Sequence, residues 1–337
     1  MSHRFFIYGP FALFATLVLA VSLNWWLDAR AFSGRLDAMN GRQIMPGVTL
    51  HFARKRISGF PFRLDVTFRN IDIAVATPHG PSHWQAEDFA LHRLTYGASR
   101  TLFEAAGKER LSWTDEEGRP RALPFVPGSM RASASEDDGG LARFDLDILA
   151  VGSPAFSAGH AQFHLRRDPS NDGIDVFATA DDVRLAPALR SALGERIASL
   201  SVGVELLPGI ALAPLRAGRI AWPEAVRRFI GANGMVQVGH FEIVSNALAA
   251  DGHGSIGFDP EARPRGLIDL SIPHIDKFVA AVRARGPDNG RGIAAAIATR
   301  AGEAGSDETG RLGIVFSCSD GHAWLGDRPI GPLGTLF

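Results

Sequence analysis

The chain has 337 residues, with 35 Lys and Arg against 36 Asp and Glu and a formal net charge of −1, so no basic field exists that would attract nucleic acid. A hydrophobic content of 46% with 21% charged residues excludes a wholly disordered chain, and the length is enough for two lobes. Together, 37 Gly and 20 Pro favour many turns and a β-rich fold. The single cysteine excludes an intramolecular disulfide.

The first predicted element is an apolar segment without charges from Phe5 to Leu23. As a helix its 19 residues would extend about 28 Å, close to the ~30 Å hydrocarbon core of a bilayer. Trp25 and Trp26 follow it, as expected of an aromatic belt in the headgroup layer. The segment therefore predicts a transmembrane anchor over residues 5–27, with residues 1–4 in the cytoplasm. The residues expected to carry it are Phe5, Phe11, Phe14, Leu17, Leu19, Trp25 and Trp26.

A cleaved secretory signal is the alternative, because Arg4 supplies a basic start and Ala20-Val21-Ser22 resembles a cleavage site. The apolar run exceeds the usual ~7–15 residues of a signal core, which favours an uncleaved anchor. One N-terminal anchor ahead of a long body is typical of a protein exposed outside the cytoplasm. We therefore expect a single-pass protein of the bacterial inner membrane with its body in the periplasm, although Arg30, Arg35 and Arg42 on the far side do not follow the positive-inside rule.

Residues 28–47 read as a stalk, helical up to Asn40 and stopped by Gly41. Beyond it, apolar and polar residues alternate as in half-buried strands, and the alternation changes phase at Arg69-Asn70, which requires a bulge or bend there. The apolar face of these strands is expected to line either an apolar groove or a filled core. Alternation alone does not distinguish the two. The residues of this face are Phe62, Leu64, Val66, Phe68, Phe144, Leu146 and Ile148.

An internal repeat organises the later part of the chain. Gly159-His160 and Gly173 recur 93 residues later as Gly252-His253 and Gly266. Each unit, about 159–200 and 252–285, reads as strand, turn, strand and helix, and a further helix is expected to open at Trp222-Pro223. The fold class predicted is mainly β with some α: a transmembrane helix, then an extended, curved, mostly antiparallel sheet of such repeats. Its two β-rich lobes would cover residues 48–180 and 181–337.

Several motifs resemble those of the bacterial DUF2125 family of envelope proteins. They are Ser58-Gly59-Phe60-Pro61-Phe62-Arg63-Leu64, Phe68-Arg69-Asn70-Ile71, the stretch from Trp84 to Leu91, and the ending from Asp320 to Leu333. The resemblance covers nearly the whole chain. Its motifs are structural, however, and the resemblance implies no catalytic residue in this sequence. At the level of fold, strand-rich repeats behind one anchor also resemble AsmA-like proteins, which are implicated in lipid handling between membranes.

Candidate chemistry is sparse. His160 and His164 would lie about 13 Å apart along one strand, too far to share a metal. Asp251-Gly252-His253 and the pair His79 and His83 could join an acid to a base, but no nucleophile motif stands beside either. We therefore expect no catalytic residue, no cofactor and no metal site, with a hydrolase using an Asp/His pair as the alternative.

The function expected is that of a non-enzymatic envelope protein of unknown biochemical activity. Its sheet would offer an apolar groove to a lipid or another envelope ligand, with the membrane as partner through the N-terminal helix and no nucleic acid. The alternative is a scaffold or protein-interaction module whose inner face is filled by its own side chains.

Overall fold

The computed structural model describes residues 3–94, 100–115, 117–168, 170–187, 194–246, 248–275, 279, 297, 299 and 311–334. In this part of the chain one long helix precedes a sheet. The helices are α1 (His3–Met39), α2 (Ala213–Arg216) and α3 (Trp222–Gly231), with a 3₁₀ turn at Gly209–Leu212. The strands are β1 (Arg42–Met45), β2 (Val48–Ser58), β3 (Arg63–Thr77), β4 (Gly80–Leu94), β5 (Arg100–Thr114), β6 (Pro120–Phe125), β7 (Ser129–Asp137), β8 (Gly140–Gly152), β9 (Phe156–Arg167), β10 (Ile174–Leu185), β11 (Arg196–Leu207), β12 (Met235–Ser245), β13 (Ala249–Phe258), β14 (Pro264–Pro273), β15 (Arg311–Ser319), β16 (His322–Leu325) and β17 (Arg328–Pro332).

The strands form one long, open, antiparallel sheet in which neighbours in sequence are neighbours in space. Strand β5 pairs with both β6 and β7, which occupy its two halves. From β7 to β17 every described pairing joins a strand to the next one along the chain. Short turns suffice for such a meander, which explains the high glycine and proline content.

The sheet curves around its apolar face. Trp84 of β4 and Val183 of β10 pack on the same buried cluster, although they lie on strands well separated in the order of the sheet. That cluster consists of Phe125, Val151 and Ala158. A flat sheet would hold these strands far apart, so their packing on one small cluster indicates a curved sheet, as expected from the right-handed twist that long antiparallel sheets accumulate.

Helix α1 is continuous from the apolar segment into the body. It ends at Met39, and Gly41 takes a left-handed conformation with φ +74°. Leu36 in its last turns is buried against a cluster that includes Phe52, Val66 and Phe68. Just after the helix, the Asn40 side chain accepts from the backbone N–H of Phe52 and donates to its carbonyl, at 2.9 and 3.1 Å. These contacts dock the end of α1 on the inner face of β2 and β3.

The segment with α2 and α3 packs between distant strands. Phe229 and Ala225 of α3 are buried beside Ile174, with Phe258 packed against them. At its other end, an ideal Cβ on Gly47 would lie 3.0 Å from the Cβ of Ala221, which is a tight contact, and the φ of Gly47 is +75°, so glycine suits this close approach. The helical segment thus joins the β1–β2 turn to the ends of strands much later in the chain.

The predicted N-terminal apolar helix and antiparallel sheet are confirmed, as is a helix opening at Trp222. The change of phase in β3 arises at Asn70, whose φ is +51°, while the register with β2 continues without an inserted residue. The predicted bend is therefore correct and the bulge is not needed.

The helix expected to close the first repeat is wrong over Arg196–Leu200, which belongs to strand β11 and pairs with β10. The spacing of Ile197 and Leu200 is typical of a helix, but in β11 both face the same cluster because the register against β12 is irregular between Ile197 and Ser199. Pairing with β10 stabilises the extended form. Residues 188–193 lie outside the described residues. In the second repeat Ile275 and Val279 are helical, and 276–278 and 280–285 lie outside the described part. The division into lobes at residue 180 stays a prediction.

Candidate functional site

A row of apolar side chains crosses the sheet from strand to strand on one face. Directly paired residues of an antiparallel sheet share a face, so the register fixes this row without any choice of rotamer. Its central line contains Val66, Leu91, Phe103, Ala132, Leu146, Phe163, Ala178, Val202 and Phe241. A single apolar face therefore extends across β3 to β12.

The two ends of this face are covered by other parts of the chain. At the N-terminal end, Val66 is 0% exposed because the end of α1 packs over it. At the other end, Ile272 is 1% exposed and packs with the helical residues Ile275 and Ile297. Both ends are thus filled cores, which already bury their apolar surface.

Between these covered ends the apolar face is half-buried. We call this region the apolar strip. It consists of Phe103, Ala132, Phe144, Leu146, Phe163, Ala178 and Val202. The strip lies outside the four buried clusters that the described residues form. It runs from β5 to β11, which at ~4.8 Å per strand is about 24 Å, compared with about 15 Å for one leaflet of a ~30 Å hydrocarbon core.

The opposite face of the sheet is polar and carries cross-strand pairs of histidine and aspartate. The ring-to-carboxylate distances lie between 2.6 and 2.9 Å for His83–Asp72, His92–Asp65, His160–Asp147 and His164–Asp145. The hydrogen bond from His160 is the main cause that lowers the pKa of Asp147. His160 and His164 each have their own carboxylate, so the structure gives them separate partners.

These polar pairs do not assemble a relay for nucleophilic catalysis. Ser133 donates to Asp145 at 3.2 Å, but the acid lies between the hydroxyl and His164. A hydroxyl is activated by an adjacent base, which the acid then orients from the other side. Ser201 does contact His240 at 2.7 Å. However, Glu242 approaches the same ring nitrogen, Nε2, at 4.0 Å, so it does not hold the other side of the ring.

Among the described residues, Asp168, Asp175 and Glu205 lie close enough together to share a cation. Each already has a partner in the chain. Arg166 pairs with Asp175 at 3.2 Å, and Asn171 donates to Glu205 at 2.7 Å. The hydroxyl and backbone N–H of Ser170 lower the pKa of Asp168. The cluster is accounted for by these contacts.

One carboxylate lies on the apolar side of the sheet. Glu109 is 2% exposed, and its Oε2 accepts a hydrogen bond of 2.8 Å from the indole N–H of Trp84. Burial raises the pKa of Glu109 from 4.5 to about 6, and the Trp84 bond opposes this shift in part. The sequence offers no signal for this residue, because it stands in a run of charged residues, Lys108–Arg110, that reads as a solvated strand.

The predicted anchor residues lie on the free part of α1. Phe11, Phe14, Leu17 and Leu19 are 60–71% exposed, and the helix over Phe11–Met39 is long and apolar enough to cross a membrane. Trp26 is exposed as well, whereas Trp25 is half-buried and donates to the carbonyl of Arg63 at 2.8 Å. The side chain of Phe5 lies outside the described part of the chain.

The predicted lining residues fall into three groups. Val66 and Phe68 are buried in the cluster that also contains Leu36 of α1, Leu64 is buried outside that cluster, and Phe144, Leu146 and Ile148 are half-buried. Phe62 is 57% exposed at the β2–β3 turn, beyond the edge of the sheet. Sequence reasoning missed Phe103 and Phe163 as members of the apolar strip. Both are large apolar residues within strands, β5 and β9, and that was the signal available for finding them.

A family model described as "Uncharacterized protein conserved in bacteria (DUF2125)" matches residues 25–334 of the chain. The chain belongs to the DUF2125 family. The match includes the end of α1 and the entire sheet, so the docking of the helix on the sheet lies within the DUF2125 region. No curated protein matches the chain.

Proposed function

We propose that this DUF2125 protein is a non-catalytic, membrane-anchored protein that binds the acyl chain of a lipid on its apolar strip. The body would lie in the periplasm, with α1 in the inner membrane. The observation that carries this proposal is the half-buried strip between two filled ends. A sheet that served only as a core would gain by covering the middle as completely as the ends.

The chemistry of the strip supports an acyl chain as ligand. Its members are aliphatic and aromatic, they lie side by side without a polar interruption in the central line, and the line is long enough for one extended chain. A flexible apolar ligand gains from contact area rather than from a few directed hydrogen bonds. Lipid binding would therefore need no catalytic group in the strip.

The position of the strip relative to α1 supports a membrane lipid as its source. The same face of the sheet that forms the strip continues into the cluster on which α1 docks. If α1 spans the bilayer, this face begins at the membrane surface. The ligand would then enter from the bilayer without crossing bulk water.

The full-length protein, purified from its own host membranes, tests the proposal by native mass spectrometry and lipid extraction. We expect retained phospholipid or glycolipid. Ala178→Asp places a carboxylate between Phe163 and Val202 and should abolish retention. Thr179→Asp is the matched control, since the next residue of the strand points to the other face. An apo mass that does not change when lipid is added would remove lipid binding from the proposal.

A protein ligand is the second candidate, favoured by the filled ends of the same face. Apolar residues of another envelope protein could complete the middle as α1 completes one end. In that case the wild-type protein would carry no lipid. A crosslinker attached to the apolar strip would instead capture a partner protein, and Ala178→Asp would abolish that crosslink. Lipid retention and crosslinking from the strip therefore distinguish the two candidates.

A further inference from the structure

The turn between β2 and β3 presents two exposed aromatic rings beside the end of the apolar helix. Phe60 is 55% exposed and Phe62 is 57% exposed. Large apolar side chains at the tip of a turn are unfavourable in water, and a pair of them marks a contact surface. The surrounding geometry indicates what this surface contacts.

Two contacts fix the turn to α1. The ring of Phe60 packs edge-on against Trp25 with centroids 5.4 Å apart. The indole N–H of Trp25 donates to the carbonyl of Arg63, which closes the other side of the turn. Trp25 stands at the end of the apolar segment, where an aromatic residue occupies the headgroup layer of a bilayer. The rings at the tip of the turn are thus held at the same level.

The turn has a defined shape rather than a variable one. Gly59 has φ +98°, and a Cβ there would lie 2.7 Å from the carbonyl oxygen of Arg63, so only glycine fits. The backbone N–H of Arg63 donates a hydrogen bond of 2.9 Å to the carbonyl of Gly59. The two phenylalanine rings are therefore presented by a rigid support, which lowers the entropic cost of inserting them.

We propose that the turn Gly59–Arg63 is a second membrane contact, in which Phe60 and Phe62 insert into the interfacial layer of the bilayer that α1 spans. The occupant of this surface is the lipid bilayer itself. Continuity with α1 through Trp25 is the argument for it. The inference rests on the proposed anchoring by α1. It adds that the sheet is seated on the membrane at this end rather than held away by a free stalk.

Depth-dependent fluorescence quenching in nanodiscs of phosphatidylethanolamine and phosphatidylglycerol tests this with the full-length protein. In a Cys318→Ala background, single cysteines carry a fluorophore at Leu17 within the helix, at Asn24 near its membrane boundary, at Ser58 in the turn and at Glu117 in a distant turn. Lipids with a quencher near the headgroup are expected to quench the labels at 24 and 58 equally and to leave 117 unquenched.

The double variant Phe60→Ser with Phe62→Ser then isolates the two rings. We expect it to remove most of the quenching at Ser58 while quenching at Asn24 is retained. The matched control is Phe177→Ser, which removes a phenylalanine that is 38% exposed on strand β10. It should leave quenching at Ser58 unchanged, because Phe177 stacks on His240 rather than on α1.

The failures of the two proposals can be told apart with a quencher deep in the acyl region. If the deep quencher quenches the label at Leu17 but the headgroup quencher does not quench the label at Ser58, the turn does not touch the membrane and only this inference is overturned. Quenching at Ser58 that survives the double variant would likewise overturn the role of the two rings. If Leu17 is unquenched, α1 does not span the bilayer, and the anchoring falls together with the inference that rests on it.

Discussion

Glu109 lies in an environment that its charged side chain disfavours. It is buried on the apolar side of the sheet, one carboxylate oxygen accepts from Trp84, and the other has no hydrogen-bond partner among the described residues. A carboxylate in this position is costly as an anion and cheaper as the neutral acid. The raised pKa of about 6 expresses that preference.

The pH dependence of stability follows from this shift. Because the pKa of Glu109 is about 6 in the folded protein and 4.5 ordinarily, the folded state holds more protons between these values. Stability is therefore lost as the pH rises from 4.5 through 6, by about 2 kcal/mol for a shift of this size. We expect Glu109→Gln to flatten the melting temperature of the full-length protein between pH 5 and 7. The exposed Glu104→Gln should keep the wild-type slope, and an unchanged slope in Glu109→Gln would contradict the assignment.

At the scale of elements, α1 acts in two environments. Its first part is exposed and apolar, whereas its last turns pack on the sheet through Leu36, Phe32 and the ion pair of Asp37 with Lys55. The amino group of Lys55 also donates to the carbonyl of Ser33 at 2.8 Å. A helix that served only as an anchor would need none of these contacts, so its end belongs to the core of the body.

Substitutions at two nearby positions of α1, Leu36 and Gly34, separate packing from helix propensity. Leu36→Ala removes a side chain buried against Phe52 and Val66 and should lower the free energy of unfolding by about 2–4 kcal/mol. Gly34→Ala should raise it by about 0.5–1 kcal/mol, since a Cβ there meets no atom within 4 Å and alanine favours the helix. Denaturant unfolding of both variants in the same detergent measures the difference. Equal effects would mean that this end of α1 does not pack on the sheet.

Some strands of the sheet can be predicted from their own sequence pattern and others cannot. Alternation in β3 and β8 predicts strands because their apolar residues are large and regularly spaced. Strand β7, Ser129–Asp137, is made mostly of Ser, Ala and charged residues, which have weak strand propensity. It forms because β5 and β8 flank it and satisfy its backbone groups on both sides.

For the whole molecule, the α2–α3 segment connects regions that the order of the strands keeps apart. The guanidinium of Arg216 donates to the carbonyl of Leu141 at 2.6 Å and pairs with Asp137 at 3.1 Å. Gly140 lies directly beneath, where a Cβ would come 2.3 Å from the carbonyl oxygen of Arg216. The segment thus locks the β7–β8 turn to the strands that carry α3.

Arg216→Ala tests whether these contacts hold the β7–β8 turn against the α2–α3 segment. Loss of the partly buried guanidinium removes the donor to the Leu141 carbonyl and leaves Asp137 with Arg167 as its remaining arginine partner, which typically costs about 1–3 kcal/mol. Hydrogen exchange of the full-length protein should become faster in both Gly209–Gly231 and the β7–β8 turn, and not in β2–β4. Arg219→Ala, at an exposed position three residues later, should exchange as the wild type does. Faster exchange confined to α2 would show that the turn is held independently.

The sequence by itself determined that an apolar helix precedes an antiparallel sheet, and which face of each strongly patterned strand is apolar. These properties depend on local order along the chain: the length of an uncharged run, the period of alternation and the glycine at a helix end. The tertiary structure alone decided which part of that face is covered. Val66 and Leu146 occupy equivalent alternating positions, yet one is fully buried and the other half-buried, because α1 packs over the first and not over the second. The burial of Glu109 and the exposure of Phe62 were decided in the same way, since burial depends on which distant element packs on a residue rather than on its neighbours in sequence.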